Sequence, residues 1–345
     1  MNEREAYNVL NILHFGDIFN MNKLRGNFPS WTAAWHALGK KSKLDPETEW
    51  GKLEKHGVNL ILAGEPDFPA FLNEIPNPPL AIYIKGAPLD EHPKIAIIGT
   101  RRATLNGRGI AKNFARNIAG SGITVVSGLA LGIDAAAHEG ALDAKGKTIA
   151  VLANGLDTVY PRQNAALAAR ILKSGGTLIS EYSFGGETLP YRFLERNRIV
   201  SGLSSGVVVV EAPEGSGALA TANCAVEQNR EVFVVPGPLN NANYAGSHNL
   251  LRSGARLVAR PEDVLDDLNM LADTDAAPLL RFPVENLSKE QKKILSALEG
   301  AGEPIGVDKI GELTKMDVSV ISRNLTFLLI QSIVKEEGGR YQISK

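Results

Sequence analysis

The 345-residue chain carries 37 basic and 38 acidic residues and is 44% hydrophobic, the profile of a globular protein with about two domains at roughly 150 residues each. No apolar run approaches the roughly 18 residues of a membrane-spanning helix, and the start MNEREAYNVL lacks the apolar block of a secretory signal. One cysteine, Cys224, has no internal disulfide partner, so the chain reads as cytoplasmic, with no membrane role.

Residues 1–75 read as a helical piece. Apolar clusters such as Val9, Leu10, Ile12, Leu13 and Trp31, Ala34, Trp35, Leu38 alternate with the breakers Gly16, Gly26 and Gly39. The proline-punctuated run Pro76-Asn77-Pro78-Pro79 ends it. From 76 to 272 short Val/Ile-rich runs alternate with stretches of helical length. The runs are KIAIIGT (94–100), ITVVSG (123–128), TIAVLA (148–153), TLISE (177–181), VVVVEA (207–212) and EVFVVPG (231–237). Strands this uniformly apolar are buried on both faces, so the pattern predicts βα units and an open parallel sheet in an α/β fold. In such a sheet the ligand crevice lies at the carboxyl ends of the strands, where Gly99, Gly128, Gly155, Gly215 and Gly237 fall. Residues 273–287 read as a linker rich in Asp, Ala and Pro. Residues 288–345 follow as three helices and a hairpin, a winged-helix-like pattern, opened by a Ser288/Gln291 capping box.

Charge is distributed unevenly. Residues 94–133 hold six basic side chains (Lys94, Arg101, Arg102, Arg108, Lys112, Arg116) and no acid, a field that attracts a polyanion, although charge alone also fits a solvated surface. The first turn, GTRRATLNGRG, lacks the Gly-x-Gly-x-x-Gly spacing of a dinucleotide site. Gly146-Lys147-Thr148 precedes a strand rather than a helix, and Ala141 stands where a phosphate loop needs its first glycine. The six histidines show no metal-ligand spacing. Asp134 and His138, four apart, fit a base–orienter pair or, preferably, a helix-start acid and a locally bonded histidine. Cys224 reads as a filler of the core.

What remains suits phosphate. Arg101 and Arg102 follow the first strand, SGLALGID and EGSGALATA place Gly/Ser turns before helix starts, and YPRQN puts Arg162 after the third strand. On the helix around RFLERNRIV, Arg192, Phe193, Arg196 and Asn197 are expected to share a stripe. Arginine beside an exposed aromatic suits a stacking platform for bases, while core packing is the other reading of Phe193. Arg198 points elsewhere and is assigned an ion pair with a strand-end acid, Glu181 or Glu211.

The ordered run GTRRAT, SGLALGIDAAAH, TIAVLANGLDTVYP, LISEYSFG, RFLERNRIVSGLS, SGALATA and GSHNLLRSGA resembles the DNA-processing DprA (Smf) family over residues 94–258. The resemblance implies a Rossmann-like core over 76–272, an N-terminal SAM-like (helix-hairpin-helix-like) domain over 1–75 and a winged-helix-like end. It further implies binding of single-stranded DNA without strong sequence preference. Loading of RecA onto such strands is implied as well, including strands covered by single-strand-binding protein, in natural transformation and recombination. A homodimer through the Rossmann-like domain, no cofactor and no catalytic activity complete the expectation. Carried over by position, it puts Arg101 on a phosphate, Ser127 and Gly128 in the same pocket with Arg162 beside it, Phe193 against a base, and Asn197 and Gly217 closing the site. Relatives often carry a lysine where Pro190 stands, and Arg192 is expected to supply that charge. The alternative is a nucleotide-cleaving phosphoribohydrolase, with GSGALATANCAVEQ as its loop and Glu227 as its acid. A winged-helix regulator with a ligand-sensing middle domain is disfavoured by the near-neutral C-terminal piece, whose presumed recognition helix carries little basic charge beyond Arg323.

Overall fold

The computed structural model describes residues 1–39, 42–270, 288–301, 304–330 and 333–343. The chain divides into two compact units, Met1–Leu271 and Ala272–Lys345. The linker expected over 273–287 lies outside the described residues. Among those described, no helix is long and apolar enough to cross a membrane.

The first unit is built on a nine-stranded sheet. Its parallel body holds β3 (Lys94–Ile98), β4 (Thr124–Ser127), β5 (Thr148–Leu152), β6 (Thr177–Ser180), β7 (Gly206–Val209), β8 (Glu231–Val234) and β9 (Arg256–Leu257). Two further strands, β1 (Val58–Leu62) and β2 (Ala81–Gly86), add to the β6 edge in antiparallel sense. The spatial order is β1-β2-β6-β5-β4-β3-β7-β8-β9. Every βα run predicted from apolar composition is a strand. Residues 58–62 correct the all-helical reading of 1–75: VNLIL pairs with β2 residue for residue, which satisfies a backbone that a short loop would leave without partners.

Period-2 alternation gives each face its own cover. Ile95 and Ile97 pack with Phe114 and Ala115 of α6 (Leu105–Gly120) and Ile133 and Ala137 of α7 (Ile133–Asp143). Ala96 and Ile98 turn the other way, toward Ile199 and Val200 of α9 (Pro190–Gly202) and Ala218 and Ala222 of α10 (Gly217–Glu227). The N-terminal helices α1 (Glu3–Leu13), α2 (Ile18–Asn27), α3 (Trp31–Leu38) and α4 (Pro46–Lys55) cover the β1–β2 end. There Leu10, Met21, Trp35 and Leu53 share a core with Tyr83, Leu152 and Leu178.

The second unit contains α13 (Lys289–Ala301), α14 (Val307–Thr314), α15 (Val318–Ile330) and the hairpin β11 (Val334–Glu337)/β12 (Arg340–Ile343), with β10 (Ile305–Gly306) pairing to β12. The Ser288 Oγ accepts from Gln291 N at 3.2 Å and Gln291 Oε1 accepts from Ser288 N at 2.9 Å, the reciprocal cap expected there. Gly338 and Gly339 both take positive φ, as a two-residue hairpin turn requires.

Candidate nucleic-acid interface

Strand β3 is flanked by β4 on one side and β7 on the other, so successive connections leave it in opposite directions. This is the switch point where an open parallel sheet forms its crevice. A cavity of about 750 Å³ lies there, lined by the β3 turn (Gly99 to Arg102), residues of α9 and the 213–218 turn that opens α10.

The β3 turn is held from below. Glu211, fully buried, accepts from Thr104 N at 2.9 Å and from Asn243 Nδ2 at 3.1 Å, and it accepts a short hydrogen bond from the Thr104 hydroxyl. Arg101 therefore projects from a fixed turn while remaining exposed. Its guanidinium carbon stands 4.8 Å from the centroid of the Phe193 ring, which is half-buried. Tyr160, 45% exposed, sets its ring 5.7 Å from that of Phe193. An exposed cation on an aromatic face, with a second ring beside it, is chemically a platform for a phosphate and a stacked base. Gly217, exposed, begins α10, whose N-terminal backbone faces the same cavity. The amide of Asn197 donates to the Gly217 carbonyl at 3.2 Å, joining α9 to that turn.

Beneath this rim the charges are enclosed. Arg196 is 5% and Asp134 6% exposed. Burial pulls the Arg196 guanidinium below its usual range and pushes the Asp134 carboxyl up, each opposed by the charge of the other. Asp134 accepts from Gly128 N at 3.1 Å and Ala130 N at 3.3 Å, which shapes the SGLALG turn. A Cβ at residue 128 would stand 1.5 Å from Arg196 Nη1, so only glycine leaves room for that guanidinium.

The sequence-expected residues thus separate. Arg101, Phe193, Arg196, Asn197 and Gly217 come together around the cavity. Ser127 is fully buried with its hydroxyl donating to Ile97 O at 2.7 Å, and Gly128 lies buried beneath the crevice. Arg162 is exposed at the start of a short 3-10 turn and does not line the cavity. Arg192 corrects the one-stripe expectation. It is 2% exposed, donates to the carbonyls of Glu187 (2.7 Å) and Phe15, and lies 4.4 Å over the Tyr182 ring, so it supplies no charge to the crevice. Pro190 instead takes the first helical position of α9, where its missing N–H costs nothing, and lines the cavity. Tyr160 is the functional candidate that residue reasoning passed over. Its place beside Pro161-Arg162 in the YPR run was the available signal.

Arg198 donates to both oxygens of Glu181 at 2.7 and 2.8 Å, which decides between its two candidate partners. His138 is fully buried and bonds Thr148 Oγ1 through Nδ1 at 2.7 Å, so it shares no hydrogen bond with Asp134. Cys224 is half-buried on α10, and Glu227 is exposed at the end of that helix remote from the cavity.

With this geometry in hand, comparison with known proteins is specific. The model of the DNA recombination-mediator protein A family matches residues 59–269. The chain belongs to that family. It is 40% identical to Protein Smf of Escherichia coli K12 over 269 residues, covering 73% of this chain and 72% of the relative. It is also 34% identical to Protein Smf of Synechocystis over 348 residues, 88% of this chain and 85% of the relative. Among solved structures, DNA processing protein A (DprA) of Streptococcus pneumoniae aligns with a TM-score of 0.61 at 31% identity, over 77% of this chain and 93% of that one. The Helicobacter pylori DNA processing protein A, solved to describe its single-stranded DNA binding mode, aligns with a TM-score of 0.55 at 31% identity, over 61% of this chain and 95% of that one. The family match spans the crevice and all of the residues that build it.

Proposed function

We propose that this family member binds single-stranded DNA, largely without sequence preference, in the crevice at the β3/β7 switch point. It then loads RecA onto the bound strand during recombination and DNA uptake, acting in the cytoplasm as a non-catalytic homodimer. The observation that carries the reading is Arg101 exposed above the Phe193 ring, with Tyr160 beside it and the α10 N-terminus across the cavity. A strand's phosphates and unpaired bases match that set, whereas a duplex hides its base faces. The Helicobacter pylori relative's single-stranded DNA binding and the family's recombination-mediator role support the same assignment. Glu227 stands exposed at the far end of α10, which weighs against the phosphoribohydrolase reading.

The test is fluorescence anisotropy of labelled poly-dT against a matched duplex, across salt. With about four phosphates neutralised, affinity for the single strand falls roughly 50-fold between about 50 and 200 mM salt. Absence of single-strand binding at low salt rejects the assignment. RecA loading is measured separately, as faster RecA nucleation on strands coated with single-strand-binding protein.

A further inference from the structure

Two of the most exposed aromatic side chains of the molecule lie outside the crevice. Phe15 is 81% and Phe19 77% exposed, at the turn between α1 and α2 and in the first turn of α2. Scattered exposed apolar residues need no explanation, but this turn is fixed with unusual care. Phe15 sits at φ 54°, a left-handed conformation that bulky residues rarely adopt. Its carbonyl accepts from Arg192, which is buried and lies over Tyr182. At Gly16, φ 69°, a Cβ would press to 2.9 Å from that same Tyr182 ring. Arg192 immediately precedes Phe193 on α9, so one helix supports the crevice platform with one residue and the Phe15 turn with the residue before it.

The helix that carries Phe19 is cationic. Helix α2 reads IFNMNKLRGN, with Lys23 and Arg25 exposed and no acid within it. Lys23 lies one turn beyond Phe19, on the same helix face, and makes no ion pair among the described residues. The acid next in sequence, Asp17, is taken up as the helix cap, accepting from Asn20 N and Nδ2 at 3.1 Å each. Behind the turn, Glu195 accepts from the Tyr182 hydroxyl at 2.7 Å, while Glu187 is exposed beside it. Aromatic faces interleaved with lysine and arginine are what a backbone-tracking, base-stacking surface requires.

We infer that the Phe15–Phe19–Lys23 surface is a second stacking platform for the same DNA strand, carrying it from the crevice across the N-terminal helices. The inference rests on single-strand binding in the crevice, and its test separates the two. Full-length protein is titrated with labelled poly-dT of about 5 and about 20 nucleotides, lengths that bracket a single binding surface and an extended one. The double variant Phe15→Asn, Phe19→Ala is compared with the parent. Asparagine tolerates the left-handed position.

The expected result is unchanged affinity for the short strand and a loss of at least about tenfold for the long one, the order of a single lost base stack. Lys23→Gln, which leaves the fold's packing alone, lowers the salt slope for the long strand by about 0.7 and for the short strand not at all. Equal affinity of variant and parent for both lengths overturns the second platform, leaves the crevice assignment standing and points the exposed rings toward a protein partner. A parallel loss for both lengths also overturns it, since the turn then acts only by supporting α9. Failure of the parent to bind either strand removes the crevice assignment and this one together.

Discussion

The rim and the floor of the crevice are both rich in arginine, yet the two use it differently. On the rim, Arg101 is exposed with its guanidinium over an aromatic face. Behind the floor, Arg192 is buried and committed to carbonyls and a ring, and Arg198, nearly buried, to an acid, while Arg196 on the floor is enclosed and set against Asp134 by charge. Residue type is therefore no guide to role here. A guanidinium whose donors are already used inside the protein holds elements together, whereas one that keeps its donors toward solvent is available to a phosphate.

The contrast is broken most forcefully behind the floor. Arg198→Met leaves Glu181, 5% exposed, without its counter-charge. Loss of one partner of such a pair costs about 3–5 kcal/mol, read as a lower urea midpoint, while molecules that remain folded bind poly-dT normally. A large affinity loss at unchanged stability would move Arg198 into the interface and erase the distinction.

On the rim the expected pattern is reversed. Arg101→Glu removes a charge-assisted phosphate contact and adds repulsion, weakening strand binding roughly 100-fold at low salt with no change in thermal unfolding. Phe193→Ala is intermediate in kind, because the ring is half-buried. Stacking predicts an affinity loss of about 1–3 kcal/mol with stability nearly kept. Lower thermal stability at full affinity would instead make Phe193 a packing residue.

How much of this was legible in the sequence follows from the range of the interactions. Six of the seven parallel strands were readable because burial on both faces leaves runs such as VVVVEA without polar interruption, whereas the two exposed residues of β9 gave no such run. β1 was missed because VNLIL carries Asn59 and is stabilised by antiparallel pairing with β2 across an intervening stretch of chain. Asn197 and Gly217, joined in the expectation by resemblance, both line the cavity and are linked by a hydrogen bond. Arg192 was misplaced because its destination is a carbonyl 177 residues earlier in the chain, which no helical periodicity encodes. Spacing along α9 tells which residues share a face but not what that face meets.

The smallest expected effect isolates the supporting layer alone. Burial lowers the His138 pKa to about 3, with Arg196 adding to the shift, from an ordinary value of 6.5. Between those values the unfolded chain binds the proton and the folded one does not, so stability falls as pH falls. The contribution is fully present above about pH 6.5, and roughly 1.4 kcal/mol is lost by about pH 5.5, with the loss continuing toward pH 3. His138→Gln should remove that part of the slope in urea midpoints measured from pH 8 to pH 5.5. Arg101→Glu should leave the slope intact, because Arg101 stands on the exposed rim while His138 bonds Thr148 inside the sheet. If the Arg101 variant flattened the acid slope as well, rim and interior would be electrostatically one unit, and the division between binding and supporting arginines would have to be redrawn.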